Sequence, residues 1–176
     1  MRTAAVLMSV LLLGGANSAC EKKVENGLVR TYHSNGKVLS EITYRGGKKH
    51  GPFMIWYDNG LLNSSAYFEN DSIVGSALTY YEDGVRKSKD EWSKKHKLHG
   101  ISMNWYENGM LADSGRYKNN RFDGEWKSFY KTGKLKNLRF YEGGQVNGQY
   151  IHFGINGDTL RVELYSNGNL VDSEDF

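Results

Sequence analysis

The chain has 176 residues, about the size of one domain, and a formal net charge of +3 at pH 7. So small a charge creates no strong attraction for nucleic acid, and DNA or RNA binding is not expected. Aromatic residues make up 13% of the chain, which excludes a disordered polymer, and the single cysteine excludes an internal disulfide.

Residues 1–19 have the organisation of a secretory signal peptide. A charged start at Arg2 precedes an apolar run from Ala4 to Leu13, and small residues follow as far as Ala19. Because this apolar run is too short to cross a hydrocarbon core of ~30 Å, a retained membrane helix is not expected. The sequence therefore predicts export.

The only cysteine, Cys20, lies immediately after that segment. One interpretation is a bacterial lipoprotein that is cleaved before Cys20 and lipidated on it, since Ser18 and Ala19 resemble the residues that precede such a cysteine. The alternative is ordinary signal-peptidase cleavage after Ala16 or Ser18, which leaves a free thiol near the end of the chain. We divide the chain into a signal peptide over residues 1–19, a linker over 20–25 and one β-repeat domain over 26–176.

From residue 26 onward the chain repeats itself with a period of about 24 residues. Two glycines mark each of six units, and the second glycine follows the first by nine residues. The first glycines, which we number position 0 of each unit, are Gly27, Gly51, Gly75, Gly100, Gly124 and Gly148. Such a period predicts supersecondary units that stack and contact only their neighbours.

Aromatic residues occupy fixed positions in these units. Position 5 is Tyr32, Trp56, Tyr80, Trp105, Phe129 or Phe153, and position 17 is Tyr44, Phe68, Trp92, Tyr117, Tyr141 or Tyr165. Position 6 of units two to five is Tyr57, Tyr81, Tyr106 or Tyr130. An Asn-Gly, Asp-Gly or Thr-Gly pair follows at positions 8 and 9, and most of these pairs are typical of a tight type I′ hairpin. The predicted fold class is therefore all-β, an elongated single sheet of about twelve strands built as an antiparallel β-hairpin meander.

Strand alternation distributes these rows over two faces of the sheet. A two-residue turn would place position 6 opposite position 11, with position 17 on the same face and position 5 on the other. Both faces would then carry aromatic rings. Any row that is not the core of the sheet would remain exposed for a partner.

Two strings in the fourth and fifth units resemble the bacterial variant of the MORN repeat. They are YENGML at residues 106–111 and YKNNRFDGEW at residues 117–126. The resemblance extends over six units, from about Asn26 to Leu170. It implies an elongated antiparallel sheet that serves as a binding or spacing surface, and many proteins with similar repeats carry the label YwqK-like antitoxin.

No residue pattern in the chain indicates catalysis. His96 and His99 have a spacing compatible with a metal pair, but they lie in a lysine-rich loop, and solvated turn residues are the preferred interpretation. An active site would need unlike residues that converge on one point, and no conspicuous break in the repeat provides them. We therefore expect no enzyme, no metal and no cofactor.

Candidate partner-binding residues come from the aromatic rows and from the basic loops. Lysine and arginine concentrate opposite the Asn-Gly turns, where Lys94 and Lys95 are candidates for contact with an acidic partner; ordinary hydrophilic turns are the preferred interpretation. The aromatic candidates are Trp56, Tyr57, Tyr81, Trp105, Tyr106 and Tyr130.

The function expected from the sequence is a non-catalytic, exported repeat protein that acts as a protein-binding or scaffold module of the bacterial cell envelope. It would be lipid-anchored through Cys20 in the periplasm or at the outer membrane, or else soluble in the periplasm or secreted. An immunity or antitoxin-like protein that neutralises a toxin is one alternative. A module that binds a glycan or a lipid headgroup is another.

Overall fold

A computed structural model describes residues 25–176, so the predicted signal peptide and Cys20 lie outside the described residues. Fourteen strands form one open antiparallel sheet in which strands pair in chain order, apart from β9, which pairs with β8 alone. The strands are β1 (Gly27–Tyr32), β2 (Val38–Arg45), β3 (Lys48–Trp56), β4 (Leu62–Glu69), β5 (Ser72–Tyr80), β6 (Arg86–Trp92), β7 (Leu98–Trp105), β8 (Leu111–Lys118), β9 (Arg121–Phe122), β10 (Gly124–Phe129), β11 (Leu135–Glu142), β12 (Gln145–Phe153), β13 (Thr159–Ser166) and β14 (Asn169–Asp175).

The predicted all-β meander is confirmed, with two strands more than expected. Six hairpins supply twelve arms, Asp123 interrupts one arm and divides it into β9 and β10, and β14 adds a last strand. Residues 25–176 contain no helix, and therefore none that is long and apolar enough to span a membrane.

The turns that contain the Asn-Gly pairs differ from the predicted type I′ geometry. In the second unit the Gly60 amide donates to the Tyr57 carbonyl, and the Tyr57 amide donates to the Leu61 carbonyl. Only the glycine has positive φ, 94° at Gly60, so the loop is a type I turn completed by a left-handed glycine. Because this loop has three residues, position 5 and not position 6 lies opposite position 11, as in the pair Trp56–Leu62. We call this side of the sheet the Asn-Gly edge.

Two-residue turns occur instead at the opposite edge of the sheet, where two consecutive residues have positive φ. Asn70 and Asp71 have φ of 50° and 67°, and Asn119 and Asn120 have φ of 54° and 67°. Positive φ at both central residues is the requirement of a type I′ turn. The tight type I′ turns of the repeat therefore lie at the edge opposite to the one predicted.

The third unit is one residue longer than the others, since Gly100 follows Gly75 by 25 residues, and the additional residue lies in a longer loop at this opposite edge. Trp92 pairs with Leu98 across the loop, and His96 takes the left-handed conformation, φ 59°, that glycine has in the Asn-Gly turns. Histidine tolerates this region better than branched residues do.

The two faces of the sheet differ in how well they are covered. One face carries positions 0, 2 and 4 of the first arm and positions 13, 15 and 17 of the second arm of each hairpin. It contains Phe53, Phe68 and Ala77, which are at most 9% exposed. We call it the covered face. The other face, which carries positions 1, 3 and 5 and positions 14 and 16, is the open face. Positions 5 and 17 lie on different faces, as predicted.

Candidate interaction surface

The tyrosines at position 6 connect each hairpin to the next. Their hydroxyl groups donate to the carbonyl oxygen at position 5 of the following unit over 2.7–2.8 Å. The pairs are Tyr57–Tyr80, Tyr81–Trp105, Tyr106–Phe129 and Tyr130–Phe153. In the first unit His33 Nε2 makes the equivalent contact with the Trp56 carbonyl at 2.9 Å. The four tyrosine candidates therefore hold neighbouring units together, whatever else they contact.

The asparagines at position 8 make a second set of contacts between units. Asn59 Oδ1 accepts from the Leu61 amide at 2.8 Å, and its Nδ2 donates to the Glu82 carbonyl of the next unit at 2.8 Å. Asp83, at the same position of the third unit, accepts from the Val85 amide but has no hydrogen to donate onward. The third unit therefore lacks one contact that its neighbour makes.

The two tryptophan candidates lie on the open face beside the Asn-Gly edge and are half-buried. Trp56 borders a shallow depression of about 430 Å³, together with Lys37, Val38 and Glu41. The Arg86 guanidinium lies 5.4 Å from the centre of the Trp105 ring, a cation–π arrangement. Both rings thus combine an apolar surface with a charged neighbour.

A second shallow depression of about 400 Å³ lies at the Asn-Gly edge between the second and fourth units. Tyr81, Glu82, Lys87 and Glu107 are among the residues that line it. Burial, and then the Glu107 carboxylate, raise the pKa of the Tyr81 hydroxyl, which therefore keeps its proton for the contact with the next unit. Lys87 Nζ lies 5.2 Å from the centre of the Tyr81 ring.

The lysine candidates are far from the aromatic ones. Lys94 and Lys95 are exposed in the loop at the opposite edge, one full strand length, roughly 20 Å, from the Asn-Gly edge. The structure brings the six aromatic candidates to one edge of the sheet and leaves the two lysines at the other. They cannot belong to one compact site.

The open face also carries apolar side chains that were not among the candidates. Leu28, Tyr67, Ile101 and Leu164 are 50%, 44%, 38% and 43% exposed. They occupy positions 1 and 16, which lie opposite each other in the hairpins. Strand alternation from position 5 reaches position 1 on the same face, so this signal was present in the sequence.

The covered face is filled by its own rings. The Phe53 and Phe68 rings meet edge to face at 5.3 Å, and the Trp126 ring lies 4.7 Å from the Phe122 ring and 5.7 Å from the Tyr117 ring. Such pairs contribute about 0.5–1.5 kcal/mol each beyond their buried area. The aromatic row at position 17 is therefore the core of the sheet.

Carboxylates interrupt this core in the third and fourth units. Asp90 accepts from the Ser102 hydroxyl at 2.6 Å, and Asp113 accepts from Asn104 Nδ2 at 2.7 Å. Burial raises the pKa of both carboxyl groups, and the charge of Asp90 raises that of Asp113 further. Burial, with these two carboxylates nearby, raises the pKa of Tyr117 to about 12.

Comparison with known proteins finds a similarity for three of the hairpins. No curated protein matches the chain. The family model described as the MORN repeat variant matches three segments, residues 25–45, 98–119 and 122–142. The first two segments contain the hairpins β1–β2 and β7–β8, and the third contains β9–β11 apart from Arg121. Each hairpin has the same three-residue turn at the Asn-Gly edge. Three hairpins of this sheet, about a third of the chain, are thus similar in sequence to the MORN repeat variant.

Proposed function

We propose that this chain is a non-catalytic repeat protein of the bacterial cell envelope that binds a protein partner through the open face of its sheet. The observation that carries this proposal is the unequal cover of the two faces. Side chains of the covered face pack on one another, whereas Tyr67, Ile101 and Leu164 of the open face are 38–44% exposed. Apolar side chains that recur along one face, instead of being scattered singly, are typical of an interaction surface.

The composition of the open face fits a protein partner. Rings at position 5 alternate with methionines and with charged pairs, among them Met54 and the ion pair between Lys89 Nζ and Glu91 Oε1 at 3.1 Å. Protein interfaces are enriched in aromatic residues, methionine and arginine, with charges at the rim. The depression beside Trp56 is shallow and borders this face, so a partner with a broad complementary surface fits better than a small enclosed ligand.

The binding surface is tested with a charged substitution in its centre. Ile101→Asp places a carboxylate on the open face without disturbing the covered face, and we expect it to abolish recovery of the partner that the full chain captures from an envelope extract. The matched control is Met110→Asp, at a side chain that is 47% exposed but lies in a turn. Thermal unfolding of both variants should equal that of the parent chain. Equal recovery of the same partner by Ile101→Asp would refute the assignment of the face.

The proposed location depends on Cys20, which we propose carries a lipid after export. Intact-mass measurement of the protein purified from membranes should show the added diacylglycerol. Cys20→Ser should move the protein to the soluble fraction. An unmodified thiol on a chain shortened at residue 16 or 18 would show ordinary cleavage instead.

A further inference from the structure

Within residues 25–176 the first strand lies at one end of the sheet, and backbone acceptors on its outer edge have no partner among these residues. Each of the other five units receives a side-chain hydrogen bond on its position 5 carbonyl from the unit before it, as Trp56 does from His33 and Trp105 from Tyr81. The equivalent carbonyl of the first unit, Tyr32, receives none from any described residue. Since the position 5 carbonyls of the later units point toward the preceding unit, the Tyr32 carbonyl points outward from β1.

The neighbouring turn repeats this arrangement. The carbonyl at position 7 accepts from an asparagine of the preceding unit at 2.9 Å in the second unit, where Asn35 Nδ2 donates to Asp58, and at 2.8 Å in the third. Its equivalent in the first unit is Ser34, and no side chain within residues 25–176 donates to it. All residues of β1 except Val29 are exposed. The outer edge of β1 therefore presents the same acceptors that recur between units, and no unit within residues 25–176 pairs with it.

The other end of the sheet offers only one of the two matching donors, Asn156, and β14 covers the hairpin that carries it. The sixth unit has Gly154 where the tyrosine stands and Asp158 where the first unit has Lys37. Beyond it, β14 carries Asp172, Glu174 and Asp175 along the last edge, and such charges oppose further strand pairing. A second copy of this chain therefore cannot continue the array by placing its last hairpin against β1.

We propose that the outer edge of β1 binds a β-hairpin of a different protein, one that carries a Tyr-x-Asn-Gly turn. The second arm of that hairpin pairs antiparallel with β1, as β2 pairs with β3. Its tyrosine hydroxyl donates to the Tyr32 carbonyl and its asparagine amide donates to the Ser34 carbonyl. This site is separate from the open face of the proposed function, and neither depends on the other.

A fluorescent peptide with the sequence of residues 100–118 provides the probe, because it contains both donors, Tyr106 and Asn108. We expect it to bind the full chain in an anisotropy titration. The same peptide with Tyr106→Phe should bind roughly threefold to tenfold more weakly, the usual net value of one neutral hydrogen bond. Absence of binding, or equal binding of the two peptides, would overturn the proposal.

The chain offers a matched variant for the strand edge itself. Arg30→Pro removes the outward amide of β1 at the position where Met54 of the second unit pairs with Glu41 of β2. We expect this variant to bind the parent peptide at least roughly tenfold more weakly. Leu28→Pro is the matched control and should bind as the parent chain does, because the equivalent residue of the second unit is Pro52 and β3 still pairs with β2. Ile101→Asp on the open face should leave peptide binding unchanged.

The two peptides test the proposal even if Arg30→Pro destabilises the chain, because they need no change in the protein. If sedimentation velocity instead shows a dimer that Arg30→Pro dissociates and that the peptide does not displace, the edge pairs with itself and the proposal is wrong.

Discussion

Removing one tyrosine hydroxyl from the Asn-Gly edge should weaken the sheet at a single interface. In Tyr81→Phe the ring and its contact with Lys87 remain, and only the 2.8 Å hydrogen bond to the Trp105 carbonyl is lost. A neutral hydrogen bond contributes about 0.5–1.5 kcal/mol net, and a carbonyl that water cannot fully reach adds to the loss. We expect the free energy of unfolding to fall by about 1–2 kcal/mol, which lowers Tm by about 2–8 °C in a chain of this size.

The matched control is Tyr67→Phe, because the Tyr67 side chain is 44% exposed and its hydroxyl has no partner within residues 25–176. That variant should unfold within about 0.5 kcal/mol of the parent chain. Thermal and urea unfolding followed by circular dichroism measure both. Because units contact only their neighbours, Tyr57→Phe and Tyr106→Phe act at separate interfaces and their losses should add. If Tyr81→Phe costs no more than Tyr67→Phe, the hydroxyl contacts do not hold the units together.

Three further substitutions test individual contacts. Asp83→Asn supplies the missing amide donor to the Glu107 carbonyl and should raise the free energy of unfolding by about 0.5–1.5 kcal/mol, measured by urea titration; no gain would show that this carbonyl is satisfied by water. Gly115→Ala places a methyl group 2.0 Å from the Trp126 ring, so it should destabilise the chain by about 1–3 kcal/mol and change the indole near-UV signal; an unchanged Tm would contradict the close approach. Asp113→Asn should stabilise the chain at pH 7, because the fold raises the pKa of this carboxyl and so disfavours its charge. The gain should shrink as pH falls through that raised pKa, and a gain that is constant from pH 7 to pH 3 would refute this explanation.

The sequence predicts most of the sheet because one period governs it. The glycines at positions 0 and 9 and the rings at positions 5 and 17 place the strands, and the separation of these two aromatic rows onto different faces follows from alternation alone. The extra residue of the third unit was also visible, and His96 shows how the loop accommodates it.

Turn geometry was less predictable, because an Asn-Gly pair fits two loops. In both a type I′ turn and a three-residue loop the glycine takes positive φ, so Asn59-Gly60 does not distinguish them. Tyr57, two residues before the asparagine, distinguishes the two loops. Its amide donates to the Leu61 carbonyl and closes the longer loop, and its hydroxyl donates to a carbonyl of the next unit. At the opposite edge Asn119 and Asn120 form the tight turn without any glycine.

The candidate surface was only partly predictable, because exposure depends on packing between units. The sequence places rings on both faces but does not show that the Trp126 ring lies over Gly115 and closes one of them. Nor does it show that the tyrosine hydroxyls are already engaged, or that Lys94 and the aromatic candidates lie at opposite edges.

The strict chain-order pairing of the strands has a mechanical consequence. β1 and β14 lie at the two ends of the ribbon, and none of the strands that the structure describes bridges units that are distant in sequence. Tension applied between those ends would peel hairpins away one after another, since each hairpin adheres only to its immediate neighbours. Every event would release one period of about 24 residues, or roughly 80 Å of extended chain, so a stretched molecule should lengthen in equal steps.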